Sequence, residues 1–517
     1  MEGKEDIVYF SLTFFATKFS TMQNAPDVIY GPLFEAVQMQ EIFPDSKTFV
    51  DCIPKKDPEN ILEAYQLESS REGFDLKRFV NEYFEIPSPP TSGFKSDTNR
   101  PIIHHIKILW DVLKREKDEH IPGSSLLPLP YPYIVPGGRF NEIYYWDSFF
   151  TMQGLKADGK TDVIENMVKN FAYLIETVGF IPNGNRTYFL GRSQPPFFAE
   201  MVKLLAELKG KQILLDYLPS LKKEYDFWMR RSDGGEKAQL RTFETESGSI
   251  LNRYWDHFET PRQESYKEDV HDAKSYQGNK EEFYRHIRAG AESGWDFSSR
   301  WFKNPDKISS IETTSILPVD LNCLLYGLEQ TLELAYDLDG NLEQSKAFRD
   351  KAKHRAAAIY ANFWDEAQGF YFDYHLKNNN RTDAITAAGI FPLYFKLATP
   401  EQAKKVATFT AKHLLKEGGL VTTTIQSGQQ WDAPNGWAPL QFIAYVGFKN
   451  YGLDELADQI KTRWTDLCTK VYQNTGKMME KYNVEDMNLD AGGGEYPVQD
   501  GFGWSNGVVS WLLAFGG

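Results

Sequence analysis

The chain has 517 residues, 41% hydrophobic and 25% charged, which are the proportions of a folded globular protein and exclude global disorder. Its 72 acidic and 57 basic residues give a formal net charge of −15, so nucleic acid and anionic membrane surfaces are poor partners. The three cysteines, Cys52, Cys323 and Cys468, form no CxxC pair and predict neither a zinc site nor a disulfide framework. We expect them to be buried as small apolar side chains.

The amino end matches no recognisable pattern. Residues 7–16, IVYFSLTFFA, have the length of a signal-peptide core, but the preceding MEGKED carries three acids and one lysine, the wrong charge for an export signal. No apolar run approaches the roughly 18 residues that span a bilayer. We therefore leave residues 1–24 unassigned, with an atypical leader as one interpretation. Residues 25–100 are predicted to be an irregular wrapping segment of the same domain as residues 101–517.

Helical periodicity dominates the rest of the chain. In TDVIENMVKNFAYLIETVGF at 161–180, apolar residues recur at steps of three and four and give one buried stripe. Similar segments predict further helices near 103–117, 145–157, 198–209, 211–230, 278–288, 319–338, 343–365, 385–398, 400–416, 436–450, 453–472 and 503–515. Strand signals are few, and the candidates are 249–258 and 369–375.

The connections between these helices are of two kinds. Some are short, such as LDGN at 338–341, whereas others are long, aromatic and charged, and long loops in a compact protein are often functional. If the helices run alternately up and down around a ring, every second connection lies at the same end. The sequence therefore predicts a single all-α toroid with long loops on one face and few short strands.

The long loops are rich in tryptophan and in acids. Seven tryptophans are expected to converge on one cavity: Trp146, Trp255, Trp295, Trp301, Trp431, Trp437 and Trp504. Aromatic faces suit the CH faces of a pyranose ring, while carboxylates, amides and guanidinium groups pair with its hydroxyls, so we predict a carbohydrate ligand. Glycoside hydrolysis requires two carboxyl groups. Spacing leaves open which two serve, among Asp147, Glu264, Asp296, Asp432, Glu480 and Glu495.

Two stretches resemble a known family. PGGRFNEIYYWDSFF at 136–150 and QWDAPNGWAP at 430–439 are similar to the two signature motifs of the trehalases, glycoside hydrolases that split α,α-trehalose into two glucose molecules. The resemblance extends over about residues 25–517 through RSQPP, ESYKED, ESGWDFSSRW, EKYN and GGGEYPVQDGFGWSNGV. It implies that the toroid is an (α/α)6 barrel.

The resemblance also implies which residues act. The general acid falls on Asp296 and the general base on Glu480, and the reaction would invert the anomeric centre. Inversion requires the two carboxyl groups to lie about 6.5–9.5 Å apart. Asp296 also needs a raised pKa, for which its aromatic neighbours would supply a low-dielectric setting. The implied substrate-binding residues are Arg139, Phe140, Trp146, Asp147, Asn183, Arg192, Gln194, Arg262, Glu264, Gly294, Trp437 and Glu495.

The sequence contains no HExxH or other metal-ligand spacing, so we expect no metal and no cofactor. The expected partner is the small molecule α,α-trehalose, with no nucleic acid and no membrane, and the protein is expected to be a monomer. A periplasmic or secreted location is favoured, with the cytoplasm as the alternative if residues 1–24 are not a leader. The glycine-rich stretch at 492–507 is predicted to be a lid over the pocket. Two alternatives stay open: a related α-glucoside hydrolase or phosphorylase, and a trehalose-binding sensor without catalysis.

Overall fold

The computed structural model describes residues 25–89, 91, 93–231, 238–489, 499 and 501–516. The predicted lid therefore lies largely outside the described residues. In the described part the α-helices are α1 Pro26–Met39, α2 Lys47–Val50, α3 Pro58–Glu68, α4 Leu76–Tyr83, α5 Ile102–Leu113, α6 Tyr145–Ala157, α7 Thr161–Val178, α8 Phe198–Lys209, α9 Gln212–Asp216, α10 Leu218–Trp228, α11 Tyr266–Asp272, α12 Lys280–Glu292, α13 Val319–Leu338, α14 Leu342–Phe363, α15 Phe391–Tyr394, α16 Pro400–His413, α17 Ala438–Lys449, α18 Asp454–Thr475 and α19 Gly503–Phe515.

The strands are short and pair antiparallel in small local sheets. They are β1 Ile53–Pro54, β2 Phe84–Glu85, β3 Lys114–Arg115, β4 Tyr133–Ile134, β5 Ala238–Gln239, β6 Thr242–Glu244, β7 Ile250–Asn252, β8 Ile316–Leu317, β9 Trp364–Asp365, β10 Phe370–Tyr371, β11 Tyr374–His375, β12 Asn380–Arg381, β13 Leu415–Lys416, β14 Gly419–Leu420, β15 Asn435–Gly436 and β16 Tyr482–Asn483. The sheet orders are β1-β2, β3-β4, β5-β6-β7, β12-β11-β8, β10-β9, β13-β14 and β15-β16. Each sheet has only two or three strands and holds loop segments together, and none forms a layer of the fold.

The long helices form two concentric layers. The inner layer follows α6, α8, α13, α15, α17 and α19, each packed on the next, and α19 returns to α6 and closes the ring. The outer layer contains α5, α7, α10, α14, α16 and α18, so outer and inner helices alternate along the chain. This is an (α/α)6 barrel, as the sequence and the family resemblance predicted.

Burial separates the two layers. Inner helix α6 is buried at every position from 145 to 155, because it faces the centre on one side and an outer helix on the other. Outer helix α7 buries a single stripe that includes Val163, Met167 and Phe171, as its periodicity predicted. The three cysteines are all buried, which confirms that prediction as well.

Ring closure depends on two glycines. A Cβ at Gly154 of α6 would lie 2.6 Å from the Cα of Gly507 in α19, and a Cβ at Gly507 would lie 2.1 Å from the carbonyl oxygen of Phe150. Real Cβ atoms do not approach backbone this closely, so the first and last inner helices touch backbone to backbone.

Gly507→Ala is expected to destabilise the barrel by about 1–3 kcal/mol, because the added methyl must push α19 away from α6. The measurement is the free energy of unfolding from a urea titration, followed by tryptophan fluorescence. An unfolding midpoint equal to that of the wild type would show that the two helices do not need this approach.

Some predicted elements differ from the structure. The segment 385–398 is a 3-10 turn followed by the single turn α15, because Pro392 lacks an amide donor and Lys396 adopts a positive φ of 54°. The predicted helix 211–230 divides into α9 and α10, the second of which has a proline in its first turn. Helix α12 exists near the predicted 278–288 but stands outside the ring. Both strand candidates contain strands, β7 in the first and β10 with β11 in the second.

The amino-terminal helices α1 to α4 pack beside the barrel, and α2 contacts the 3-10 turn at 263–265. In the part of the chain that the structure describes, every helix is too short or too polar to span a bilayer. The proposed boundaries at 24/25 and 100/101 stay predictions.

Candidate active site

One pocket lies at the amino-terminal ends of the inner helices. Trp146 and Asp147 occupy the first turn of α6, Trp437 immediately precedes α17, and Trp504 lies in the first turn of α19. Because successive inner helices are separated by outer helices that run back, their amino termini share one face. The long loops that the sequence singled out lead into this face.

The structure brings the predicted site residues together. Both candidate catalytic residues, Asp296 and Glu480, line this pocket. It is also lined by Arg139, Phe140, Trp146, Asp147, Asn183, Arg192, Gln194, Arg262, Glu264, Gly294 and Trp437. Glu495 lies outside the described residues. Convergence of side chains from such distant parts of the chain is what a binding site requires.

One wall of the pocket is a network of buried charges. Arg192 donates from Nη2 to Oε1 of Glu264 at 2.6 Å and from Nε to Oδ1 of Asn183 at 3.0 Å. Arg262 is held by Asp269, with Nη2 2.6 Å from Oδ1. Burial alone would raise the pKa of Glu264, but Arg192 and Arg262 outweigh it and lower that pKa. Glu264 is therefore ionised at neutral pH.

Two polar atoms of this wall point to a ligand. Nη1 of Arg192 and Oε2 of Glu264 are buried and have no hydrogen-bond partner within the described ranges. An unsatisfied buried polar group is costly, and such groups in a pocket are commonly satisfied by water or ligand. A sugar hydroxyl both donates and accepts, so hydroxyl groups could satisfy this donor and this acceptor.

Asp147 carries a strongly perturbed carboxyl group. Its pKa is raised well above its usual range, chiefly by burial and further by the negative charges of Glu480 and Asp296. The raised pKa favours the protonated form of Asp147, and that form can donate a hydrogen bond. Asp147 thus lies within electrostatic reach of both Glu480 and Asp296.

Tryptophan rings form a second part of the pocket surface. Trp431 stacks on Trp437 with ring centroids 3.9 Å apart and 1° between the planes, and on Trp295 at 5.4 Å and 17°. Trp504 meets Trp437 edge to face at 5.5 Å, and Trp146 at 5.9 Å. The stack gives the pocket a rigid apolar surface suited to a pyranose ring.

Three of the seven predicted tryptophans do not line this pocket: Trp255, Trp295 and Trp301. Trp301 is fully buried behind it and donates from Nε1 to the carbonyl of Trp295 at 3.1 Å. Trp255 is half-buried and lies between the guanidinium groups of Arg253 and Arg285, each 4.7 Å from its ring. The WD pattern alone does not separate pocket-lining rings from supporting ones.

Gly294 determines how the loop that bears Asp296 approaches the pocket. It has a φ of +74°, and a Cβ there would lie 2.8 Å from the ring of Trp146. Only glycine combines this backbone conformation with so close an approach. Gly294 therefore acts through packing, which explains why a residue without a side chain appears among the implied site residues.

Asp432 anchors the loop that carries Asp296 through hydrogen bonds to Ser298 and Ser299. Its carboxylate accepts from Oγ of Ser298 at 2.8 Å, from the amide of Ser299 at 2.8 Å, from Oγ1 of Thr423 at 2.8 Å and from Oγ of Ser427. It is fully buried and absent from the pocket lining. Of the acids left open by spacing, Asp432 is thus a structural support.

Asp432→Asn is expected to lower the free energy of unfolding by about 1–3 kcal/mol, because the amide nitrogen would face buried donors. We also expect kcat to fall by about tenfold or more, since the loop that carries Asp296 would shift. Chemical denaturation and steady-state kinetics measure the two effects. Asp383→Asn, at an exposed position, is the control and is expected to change neither.

Sequence reasoning missed several residues of the pocket. They are Lys47, Tyr144, Phe189, Ser265, Ala291 and Phe502. Lys47 comes from the amino-terminal segment and is buried with Asp51 and Glu142, 2.7 Å from Oε1 of the latter. Tyr144 stood inside the quoted motif and could have been found there, whereas nothing in its local sequence marks Lys47.

Metal ligation finds no support in the described residues, where no group of three or more His, Cys, Asp or Glu side chains could hold an ion. The arrangement instead combines paired carboxyl groups, arginines and aromatic faces. Such a site, on an (α/α)6 barrel, is that of a glycoside hydrolase.

Comparison with known proteins identifies the family. The family model described as Trehalase matches residues 41–517. Periplasmic trehalase of Salmonella paratyphi B is 49% identical over 491 residues, which cover 94% of this chain and 86% of that protein. Putative periplasmic trehalase of Salmonella typhi is 48% identical over the same coverage. The chain belongs to the trehalase family.

Solved structures agree with the fold. Neutral trehalase Nth1 from Saccharomyces cerevisiae matches with a TM-score of 0.62 and 29% identity, covering 80% of each chain. A mannosylglycerate hydrolase from Thermus thermophilus matches with a TM-score of 0.54 and 17% identity, covering 80% of this chain and 100% of that one, and at that identity it supports the fold alone.

Proposed function

We propose that the protein hydrolyses α,α-trehalose to two molecules of glucose with inversion at the attacked anomeric carbon. The observation that carries the proposal is the convergence of Asp296 and Glu480 on one pocket lined by arginine and tryptophan, in a member of the trehalase family. Inverting hydrolysis needs two carboxyl groups in one cavity with room for water between them.

Glu480 acts as the general base in this proposal. It removes a proton from a water molecule, which attacks the anomeric carbon from the face opposite the glycosidic oxygen. Glu480 is buried, with its amide donating to the carbonyl of Gln499 at 2.9 Å and its own carbonyl accepting from Nε1 of Trp504 at 2.8 Å. Its main chain is therefore held on both sides.

Asp296 acts as the general acid. It donates its proton to the glycosidic oxygen while the bond to the anomeric carbon breaks, and the second glucose leaves with its own configuration unchanged. The loop around it is buried at Trp295 and Phe297, which favours the neutral carboxyl group before reaction. The attacked sugar is released as β-glucose and the leaving sugar as α-glucose.

The remaining pocket residues hold the substrate in this proposal. Arg192 and Glu264 offer the unsatisfied donor and acceptor to hydroxyl groups, and the protonated form of Asp147, which its raised pKa favours, donates to another hydroxyl group. Arg139, Arg262, Asn183 and Gln194 add donors, and Phe140, Trp146 and Trp437 face the sugar rings. Glu495 is proposed as a further contact from the family resemblance alone.

Proton NMR of the anomeric signals during hydrolysis tests the proposal. Initial release of β-glucose and α-glucose in equal amounts is the expected result. Release of α-glucose alone would indicate retention and overturn the roles of Asp296 and Glu480. Glucose release that requires added phosphate would indicate a phosphorylase, and binding of trehalose without any glucose would indicate a sensor.

We further propose a periplasmic location, since the bacterial relatives are named periplasmic trehalases. A single small-molecule partner and a monomeric state complete the proposal. Fractionation of the source cells and light scattering of the purified protein test these two points.

A further inference from the structure

Gln430 connects the loop of the proposed acid to the loop of the proposed base. Its side-chain Nε2 donates to the carbonyl oxygen of Asp296 at 2.5 Å, and its Oε1 accepts from Nζ of Lys481 at 2.6 Å. Lys481 directly follows Glu480. Gln430 is 1% exposed and Lys481 is fully buried, so no bulk water competes for these bonds.

The backbone around this bridge is fixed independently. The main-chain carbonyl of Gln430 accepts from Nε1 of Trp437 at 3.1 Å and from Nδ2 of Asn435 at 3.0 Å. A few residues further on, β15 pairs with β16, with Gly436 opposite Tyr482. This pairing fixes the segment that carries Gln430 to the loop of Glu480. The amide of Trp431 donates to the carbonyl oxygen of Phe297 at 3.0 Å, which fixes the same segment to the loop of Asp296.

We propose that Gln430 and Lys481 are positioning residues, which together set the separation of Asp296 and Glu480 and the electrostatic balance between them. The inference rests on the proposed function of these two carboxyl groups. A side chain that spans both loops can maintain the gap that the attacking water needs, because neither loop moves without stretching a buried hydrogen bond.

Lys481 also places a positive charge beside the acids. Burial lowers the pKa of Lys481, while the negative charges of Glu480 and Asp296 act in the opposite direction. Its ammonium group lies 5.4 Å from the ring centre of Trp437. Besides Asp296 and Glu480, the charged or titratable side chains that line the pocket are Lys47, Arg139, Tyr144, Asp147, Arg192, Arg262 and Glu264.

The first test removes the bridge. Gln430→Leu is expected to lower kcat at least tenfold while KM for trehalose changes less than threefold, because the acid and base are misplaced but the sugar contacts remain. Gln430→Glu is the second variant: it keeps an acceptor for Lys481, loses the donor to Asp296 and is expected to lower kcat in the same way. Circular dichroism establishes that each variant is folded.

The second test uses the pH profile of kcat/KM. Lys481→Met removes a positive charge, so the pKa values of Glu480 and Asp296 rise and both limbs of the profile move to higher pH by on the order of one unit. Lys481→Arg retains the charge and is expected to keep both limbs within about 0.3 unit of the wild type. A purely structural lysine would change the stability of the protein without moving the limbs.

Gln441→Leu is the matched control. Gln441 is also a buried glutamine with two hydrogen bonds, from its Nε2 to the carbonyl of Leu420 and to its Oε1 from the amide of Leu420, both at 2.8 Å. Its loss should reduce stability and leave the pH limbs unchanged. If the wild type is active and folded Gln430→Leu has the same kcat, the inference is wrong but the proposed function stands. The same holds if Lys481→Met has the same pH limbs as the wild type. An inactive wild type overturns the proposed function and the inference together.

Discussion

Replacing Glu480 by glutamine is expected to lower kcat on α,α-trehalose by at least about a thousandfold, which corresponds to about 4 kcal/mol of transition-state stabilisation. The amide has nearly the same shape as the carboxylate but cannot take a proton from the attacking water. KM is expected to stay within about threefold of the wild type, because the sugar contacts of Arg192, Glu264 and the tryptophan wall are untouched. Steady-state kinetics by glucose release provides both constants.

Glu485→Gln is the control for this substitution. Glu485 lies on the same loop, is half-buried and bonds to Gln426 with no place in the pocket lining, so its kinetics should equal those of the wild type. A Glu480→Gln protein that retains more than a tenth of the wild-type kcat would remove Glu480 from the role of general base.

Replacing Asp296 by asparagine is expected to abolish hydrolysis of trehalose to a similar extent but to spare α-glucosyl fluoride. Fluoride is a good leaving group and departs without protonation, whereas the glucose oxygen must be protonated before it can leave. The general base is still present in this variant, so its rate on the fluoride is expected to stay within about tenfold of the wild type. A fluoride-selective electrode follows that reaction directly.

The pair of variants separates the two roles. Glu480→Gln is expected to lose activity on both trehalose and α-glucosyl fluoride, since water must be activated in either reaction. If the activity of Asp296→Asn on the fluoride fell as far as its activity on trehalose, Asp296 would be needed for something other than protonation of the leaving group. If instead Glu480→Gln retained activity on the fluoride, the assignments of acid and base would be exchanged.

Periodicity predicted the outer helices well and the inner ring less well. Outer helices such as α7 expose one side, so the apolar stripe is visible in the sequence. Inner helix α6 is buried at every position from 145 to 155, so its apolar residues form no single stripe, although apolar spacing did predict a helix at 145–157. The single turn of α15 occupies the position of a full inner helix. Its place in the ring is recognised only from its contacts with α13 and α17.

The candidate site came from the family resemblance and not from spacing. Spacing left six acids open, and only the fold separates Asp432, which supports a loop, from Asp147, which enters the pocket. Lys47 and Gln430 illustrate what local sequence omits, because both act through residues that are far away along the chain. Their roles follow from hydrogen bonds that exist only once the barrel is formed.

The close approach of Gly154 and Gly507 has a kinetic consequence. At a synthesis rate of ~10 residues per second, Gly507 is made about half a minute after Gly154. Until then α6 has no partner for the face that α19 covers, and closing so long a loop adds an entropic barrier late in folding. Because Trp146 on α6 and Trp504 on α19 both line the pocket, we expect enzymatic activity to appear only after these two helices have met. During refolding, glucose release should therefore lag behind the recovery of helical circular dichroism.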